Sequence, residues 1–364
     1  MSILNVMWAS GAAFASTHKV HQLILSQVSP PVPVQTWLLQ GSAAECGVSI
    51  GEVREWGLSS ARLKGRGFWR FTRPWMESRF QRALEGSDTR VALLDGLGVA
   101  RTLLPALEAL PAIRAVVIFH GSTRLHSADR ALFQRFPASR LTLVAVSNTL
   151  AASLSEDLKM PVLTLRSAYD PAAFRSALLP GNEARARLGL PQDHSPVLGA
   201  VGRLVAGKGF ACLIDAFAGA LQTRPDLKLV ILGEGAARAE LEMRIDQSQL
   251  HGKVLLSGHL NDAAQLYRAF DWVAIPSLSE GLGLIMQEAV MAGVPVLSSD
   301  LDVFREQLGD AGVYAPAEDA TAWRESIVRA LNVSAAEVAA EQYQALAPDQ
   351  AWLEFSRTAR NLLA

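Results

Sequence analysis

The segment GRLVAGKGF, residues 202–210, gathers one arginine, one lysine and three glycines. Glycines there permit a tight turn and a close backbone approach, and a helix beginning near Lys208 offers unpaired N–H groups and the positive end of its dipole. Arg203 can grip a phosphate through two parallel N–H donors, while Lys208 supplies a compact charge. Together they suit a diphosphate. The spacing is neither the GxxxxGK[ST] of a P-loop nor the GxGxxG of a dinucleotide site. A glycine-rich turn carrying two solvated cations has the same composition and stays open as the plainer reading.

A second stretch, SEGLGLIMQEAVMAGVPVL at 279–297, places Glu280 and Glu288 eight positions apart around an apolar segment. The run 272–275 reads as a strand ended by Pro276, and SLSEGLG as the turn into a helix beginning near Gly283. Glu280 then sits ahead of the helix at a sheet's carboxyl edge, and the N–H groups of Gly281, Leu282, Gly283 and Leu284 favour an anion in front of them. Glu288 falls inside the helix, and a carboxylate, which only accepts hydrogen bonds, suits a vicinal diol such as a ribose. Each residue also has a simpler reading, Glu280 as a charge favourable to the helix dipole and Glu288 as a buried or surface glutamate. A paired acid/base role fits poorly. Glycosidase carboxylates lie about 5 to 9.5 Å apart, whereas eight helical positions span about 12 Å. Two parts of one elongated ligand fit better, and a nucleotide sugar has that length.

Positioning these groups requires sheets. Short runs of β-branched and other apolar residues alternate with helical segments, the pattern of parallel sheets covered by helices. Strands are expected at 3–8, 91–94, 115–119, 143–146 and 162–165, and again at 197–201, 227–232, 254–256, 272–275 and 294–297. That is a doubly wound α/β sheet made twice. A proline- and glycine-rich linker is expected near 176–184, dividing the chain into domains at 1–178 and 179–348. In open α/β sheets ligands bind beyond the carboxyl ends of strands, so two such sheets facing each other would enclose a cleft. The candidate residues stand just after strands.

Composition narrows the function. A chain of 364 residues favours two domains, and 34 Lys plus Arg against 35 Asp plus Glu give no overall signal for nucleic acid. Cys46 and Cys212 are far apart and lack metal or redox spacing, which fits a reducing compartment. No run is long and apolar enough for a membrane span, and no basic-then-apolar leader opens the sequence. A cytoplasmic protein is expected.

The motifs EGLGLIMQE, VGRLVAGKGF and LVILGEGAARAELE, with PVLSSDLDVFREQLGDAGV, AVSNTLAASL and SAYDPAAF, resemble the retaining, GT-B-fold glycosyltransferases of family 4 (glycosyltransferases group 1), including those of bacterial lipopolysaccharide and polysaccharide assembly. The resemblance is dense over 143–316 and thin before it. It implies two Rossmann-like domains, acceptor-binding then donor-binding, and transfer of a hexose from a nucleoside-diphosphate sugar, UDP being the expected nucleotide, with retained anomeric configuration. Arg203 and Lys208 match the pair that holds the donor diphosphate. Glu288 matches the ribose glutamate, and Glu280 the one beside the donor sugar, with the Gly281, Leu282, Gly283 and Leu284 amides around sugar and phosphate. His120, in VVIFHGS, matches a histidine at the active centre, although a lone strand-end histidine is ordinarily a turn residue. Gly258 and His259 lie where backbone groups meet the base. Ser10 and Gly11 follow the first strand where the family carries a glycine pair; this chain departs from the pattern there. No cofactor beyond the nucleotide-sugar co-substrate is implied. Asp300 and Asp302 form a DxD of the type that binds metal in another glycosyltransferase fold, but here cationic diphosphate partners are already present, and no metal is expected.

Residues 61–82 carry seven basic residues and one acidic residue, a net +6 in a chain of net −1. Arg62, Lys64, Arg66, Arg70 and Arg73 alternate with aromatics including Trp69 and Trp75. Such a mixture suits an anionic membrane surface or a phosphorylated glycan, and equally a solvated helix whose aromatics enter the core. The first reading makes the acceptor a membrane-held saccharide, as in lipopolysaccharide core or lipid-linked glycan assembly, with peripheral contact at the inner face of the cytoplasmic membrane. Nucleic acid is not an expected partner. The last segment, 349–364, is amphipathic through Trp352, Phe355, Ala359 and Leu362 and is expected to return to the first domain. Two other functions share this scaffold: a non-catalytic nucleotide- or glycan-binding protein, and an NAD-dependent oxidoreductase, which the missing GxGxxG disfavours.

Overall fold

The computed structural model describes residues 1–8, 16–28, 32–46, 50–59, 69–193 and 195–364. They form two compact units, Met1–Ser167 with Leu353–Ala364, and Ala168–Trp352.

The first unit holds strands β1 (Ser2–Met7), β2 (Val34–Leu38), β3 (Glu52–Glu55), β4 (Thr89–Asp95), β5 (Arg114–Phe119), β6 (Leu141–Ala145) and β7 (Leu163–Thr164), in the order β3-β2-β1-β4-β5-β6-β7. All neighbours are parallel, with Ile3 opposite Val34 on one side and Val91 on the other. β1, β4 and β5 are buried almost end to end, as their continuous Val/Leu/Ile runs require of strands covered on both faces. The helix Gly96–Glu108 follows β4 directly and buries Leu97, Val99, Leu103, Leu104 and Leu107.

The second unit holds β8 (Val197–Val201), β9 (Lys228–Leu232), β10 (Val254–Gly258), β11 (Trp272–Ile275), β12 (Val296–Ser299) and β13 (Val313–Ala315), in the order β10-β9-β8-β11-β12-β13. Strand order reverses between β1 and β4 in the first sheet and between β8 and β11 in the second. At such a switch point the loops leaving two adjacent strands diverge, opening a crevice at their carboxyl ends. One face of the second sheet packs under Phe210, Leu213, Phe217 and Trp323.

Local signals explain the helix starts. Asp170 accepts hydrogen bonds from the Ala172 and Ala173 amides at 2.9 and 3.0 Å, with Pro171 at the first position of the helix Pro171–Ala177. Ser147 caps Asn148–Leu158 through the Leu150 amide. Three strands, β2, β3 and β13, were not expected from sequence. β3 (EVRE) is a mostly exposed edge with no apolar run, and β13 has three residues. The strand expected at 294–297 lies two residues later, at Val296–Ser299. Residues 176–184, read as a linker, hold the end of the helix Pro171–Ala177 and the start of the helix Gly181–Arg187. The helix Pro348–Leu363 begins in the second unit and ends in the first. Its carbonyls at Leu362 and Ala364 accept from the Arg114 guanidinium at 3.3 and 2.8 Å.

Among the described residues, no helix is long and apolar enough to cross a membrane.

Candidate functional sites

The switch point of the second sheet collects the donor-site candidates. β8 runs into Gly202 and Arg203, then a single 3-10 turn, Ala206–Lys208, and the helix Phe210–Ala220. The helix therefore opens two residues after Lys208, not at it. Gly209 between them has φ 68°, and a Cβ there would lie 1.9 Å from the Pro276 carbonyl oxygen. Only glycine allows the β8 loop to lie this close to the β11 loop. The Leu278 amide donates to the Gly207 carbonyl at 2.9 Å, joining the two loops again.

This contact brings together two residues 72 positions apart. Lys208 Nζ is hydrogen-bonded to Glu280 Oε1, and the same oxygen accepts from Ser277 Oγ at 2.8 Å. Both side chains are largely but not wholly covered, 20% and 13% exposed, so the pair borders solvent. Arg203 is exposed and, among the described residues, makes no side-chain hydrogen bond or ion pair. Gly283, at φ 82°, starts the helix Leu284–Met291, and Leu282 is fixed by the Gln307 amide on its carbonyl at 2.5 Å. The result is two cations, a carboxylate and a helix N-terminus around one switch point, an arrangement that can receive an anion.

Glu288 sits differently. It is 6% exposed, and its two oxygens accept from the phenols of Tyr169 at 2.5 Å and Tyr267 at 2.7 Å. Burial pushes both phenols above their ordinary range, and the neighbouring Glu288 carboxylate adds to the shift. The tyrosines were not singled out from sequence. Tyr169 does lie in the SAYDPAAF motif, and a phenol in that motif was the available signal. Gly258 ends β10 with φ 77°, and its carbonyl accepts from the Gly233 amide at 2.9 Å. His259 follows, exposed, with Nε2 3.1 Å from Asn261 Oδ1. Asp300, the first member of the DxD pair, is held by the helix that follows it, Asp302–Leu308: Arg305 bonds both its oxygens at 2.5 and 3.0 Å and lowers its carboxyl from the usual range.

In the first unit His120 directly follows β5, with Nε2 3.3 Å from Asp95 Oδ1 at the end of β4. His21, from the helix Ser16–Leu25, lies beside it with ring centroids 5.3 Å apart. Burial pushes the Asp95 carboxyl up to about 7, partly offset by a hydrogen bond from the Trp8 amide. Burial pushes His120 down to about 3, and the charge of nearby His18 lowers it further. Neither Asp95 nor His21 stood out in the sequence, since no motif or spacing marks either: His21 is one of several polar residues in its helix, and Asp95 ends an apolar strand.

Ser10, Gly11, Arg62, Lys64 and Arg66 lie outside the described residues, and Trp69 and Arg70 are placed by backbone alone, at the start of the helix Trp69–Leu84. The rest of that helix shows both features weighed for the segment. Phe80 is fully buried against Trp37 and Trp56, with centroids 5.8 and 4.5 Å away. Trp75 is 57% exposed, Arg79 lies over both Trp75 and Trp56, and Arg73 pairs with Glu77 at 2.6 Å.

Residues 195–333 match the family model described as "Glycosyl transferases group 1". Over 149 residues the chain is 30% identical to 2-deoxystreptamine glucosyltransferase of Streptomyces kanamyceticus, covering 40% of this chain and 38% of that protein. Over 201 residues it is 27% identical to the lipopolysaccharide core biosynthesis mannosyltransferase LpsB of Rhizobium meliloti (strain 1021), covering 53% and 54%. The matched stretch thus spans about two fifths to just over half of these relatives' length. Two solved structures align along nearly the whole chain with TM-score 0.78. They are a glycosyltransferase from Rickettsia africae ESF-5, at 15% identity and covering 100% of this chain and 98% of that one, and Anabaena Alr3699/HepE in complex with UDP and glucose, at 19% identity and covering 99% and 97%. At these identities the likeness shows the fold, two doubly wound parallel sheets of the GT-B type, as expected from sequence.

Proposed function

We propose that this chain, whose residues 195–333 form a glycosyl transferases group 1 domain, moves a hexose from a nucleoside-diphosphate sugar to a saccharide acceptor with retained anomeric configuration. The observation that carries this reading is the Lys208–Glu280 pair beside exposed Arg203 and the N-terminus of the helix Leu284–Met291. In the absence of an anion the lysine is neutralised by the glutamate. A diphosphate would take the lysine, joined by Arg203 and the Gly281, Leu282, Gly283 and Leu284 amides, and leave Glu280 free to accept from sugar hydroxyls. As the glycosidic bond breaks, negative charge grows on the leaving diphosphate, and these preorganised cations and amides stabilise it most where it is largest. The leaving group then needs no metal ion. His120 keeps the active-centre role implied by the resemblance.

Glu288 serves the ribose either directly or by holding the helix that carries the amides. UDP is the preferred nucleotide; HepE was crystallised with UDP and glucose. The base would meet the backbone near Gly258 and His259. A membrane-held glycan acceptor is supported by the exposed Trp75 and Arg79 on the basic helix, and by the likeness to the mannosyltransferase LpsB.

The test is a thermal-shift screen of UDP, GDP and ADP, with and without Mg²⁺, on the wild type and Arg203→Ala. A ligand at about 100 times its Kd adds about 2.7 kcal/mol of stability. Stabilisation by one diphosphate, equal with and without Mg²⁺ and reduced by Arg203→Ala, supports the donor site. No shift with any nucleotide overturns it. Release of free sugar from the stabilising donor, with retained anomer, separates an enzyme from a binding protein on the same fold.

A further inference from the structure

We propose that Arg54, Trp56 and Arg79 form a phosphate-binding site in the first unit, and that the phosphate belongs to the glycan acceptor. Trp56 directly follows β3, where its amide donates to the Leu38 carbonyl at 2.8 Å. Its indole packs against Trp37 and Phe80, with centroids 4.7 and 4.5 Å away, and is 6% exposed. The Arg54 and Arg79 guanidiniums both lie over this one ring, 4.4 and 5.1 Å from its centroid.

Neither cation is answered within the protein. Arg73, on the same helix as Arg79, pairs with Glu77, and Glu55, beside Arg54, accepts from the Ala43 amide at 2.7 Å. Among the described residues Arg54 and Arg79 make no hydrogen bond or ion pair. The indole is short of a partner too. The Nε1–H groups of Trp8 and Trp37 donate to Gln40 at 2.6 Å and Gln35 at 2.9 Å, but Trp56 Nε1 is buried without an acceptor. A buried donor left unsatisfied is costly. What the site lacks is therefore an acceptor that carries negative charge. A guanidinium laid over an aromatic ring keeps its in-plane N–H groups for such a partner. Three donor groups call for three acceptor oxygens, which a phosphate monoester has and a carboxylate lacks.

The place of the site in the sheet ties it to the acceptor, a consequence that rests on the proposed transfer; the phosphate binding does not. Trp56 after β3 and His120 after β5 stand at the same carboxyl edge, where ligands of such sheets bind. The order β3-β2-β1-β4-β5 separates them by four interstrand spacings, about 19 Å. A single hexose phosphate cannot bridge that distance. The acceptor is then an extended glycan, with its phosphate on a sugar several units from the hydroxyl that is glycosylated.

The experiment is titration of the full chain with inorganic phosphate at physiological salt. It is followed by the indole N–H NMR signal of Trp56, assigned through its loss in Trp56→Phe. The signal is expected to move saturably, and Arg54→Gln and Arg79→Gln should each weaken binding at least about tenfold. Arg82→Gln, which removes an exposed arginine of the same helix, should leave it unchanged. An unmoved signal overturns the proposal. So does an equal loss in Arg82→Gln, which would mark a diffuse basic surface. Binding to phosphatidylglycerol vesicles that falls with Arg54→Gln and Arg79→Gln would give the phosphate to a lipid headgroup and overturn its assignment to the glycan. Vesicle binding indifferent to both upholds that assignment. UDP stabilisation equal to wild type in both variants shows that they fold with the donor site intact. Its absence from the wild type sinks the donor reading and leaves the phosphate result standing.

Discussion

Glu288 is the residue whose surroundings most change its reading. From sequence a helical glutamate eight positions after Glu280 has two readings, a group offered to a ribose and a buried or surface glutamate. In the structure it is buried and holds Tyr169 and Tyr267 from 119 and 21 positions away. Replacing Tyr267 by Phe removes one hydrogen-bond donor from the buried Glu288 carboxylate. Unfolding stability should fall by about 1–3 kcal/mol, measured by urea denaturation. Tyr267→Phe added to Glu288→Gln should cost less than the sum of the single changes, because the two share one contact. The sequence offered Lys208 and Glu280 as separate groups with separate tasks. It could not show that they neutralise each other, because that pairing is made by two loops of the folded sheet rather than by any spacing along the chain.

The element that makes the pairing possible is the pair of loops leaving β8 and β11. Gly209→Ala would force a side chain into the left-handed region, costing about 1–2 kcal/mol, and drive its Cβ into the Pro276 carbonyl. A loss of about 2 kcal/mol or more and weaker nucleotide binding are expected. Gly207→Ala, two residues away, meets nothing within 4 Å and serves as the control, with stability changed by less than about 0.5 kcal/mol. Calorimetry and nucleotide titration of the two variants check both statements. At this scale the sequence was most readable where strands are buried on both faces. β4, β5, β8 and β11 announce themselves by apolar runs rich in Val, Leu, Ile and Ala, and the glycine-bearing turns after β8 and β11 mark the donor side. β2 and β3 were hidden because Val34–Leu38 carries Gln35 and Thr36, and Glu52–Glu55 is three-quarters charged. Thr36 is polar for a reason found only in three dimensions: it anchors the Asn5–His21 hydrogen bonds.

The whole molecule is two units joined by two crossings of the chain, one after Ser167 and one after Trp352. The amphipathic spacing of 349–364 made its last helix visible. Phe355 is 2% exposed and Ala359 fully covered, in a segment that clusters with the first unit. Ending the chain after Trp352 removes Phe355 and Leu362, and each buried side chain of that kind contributes about 1.5–3 kcal/mol. The first unit should then melt at least about 6 °C lower. Hydrogen exchange should show protection lost across 1–167 and kept across 168–352. Equal loss in both units would refute the assignment of this helix to the first.

Covalently, the second unit is an insertion within the first, and this has a consequence for biosynthesis. Residues leave the ribosome in order, at about 5–20 per second. The sheet of Met1–Ser167 emerges first, yet its companion segment Leu353–Ala364 follows only after Ala168–Trp352 has been made, about ten to forty seconds later. The first unit is thus completed only after the second has been made, and in the interval the surface that Phe355 and Leu362 will cover stays open to solvent and to chaperones.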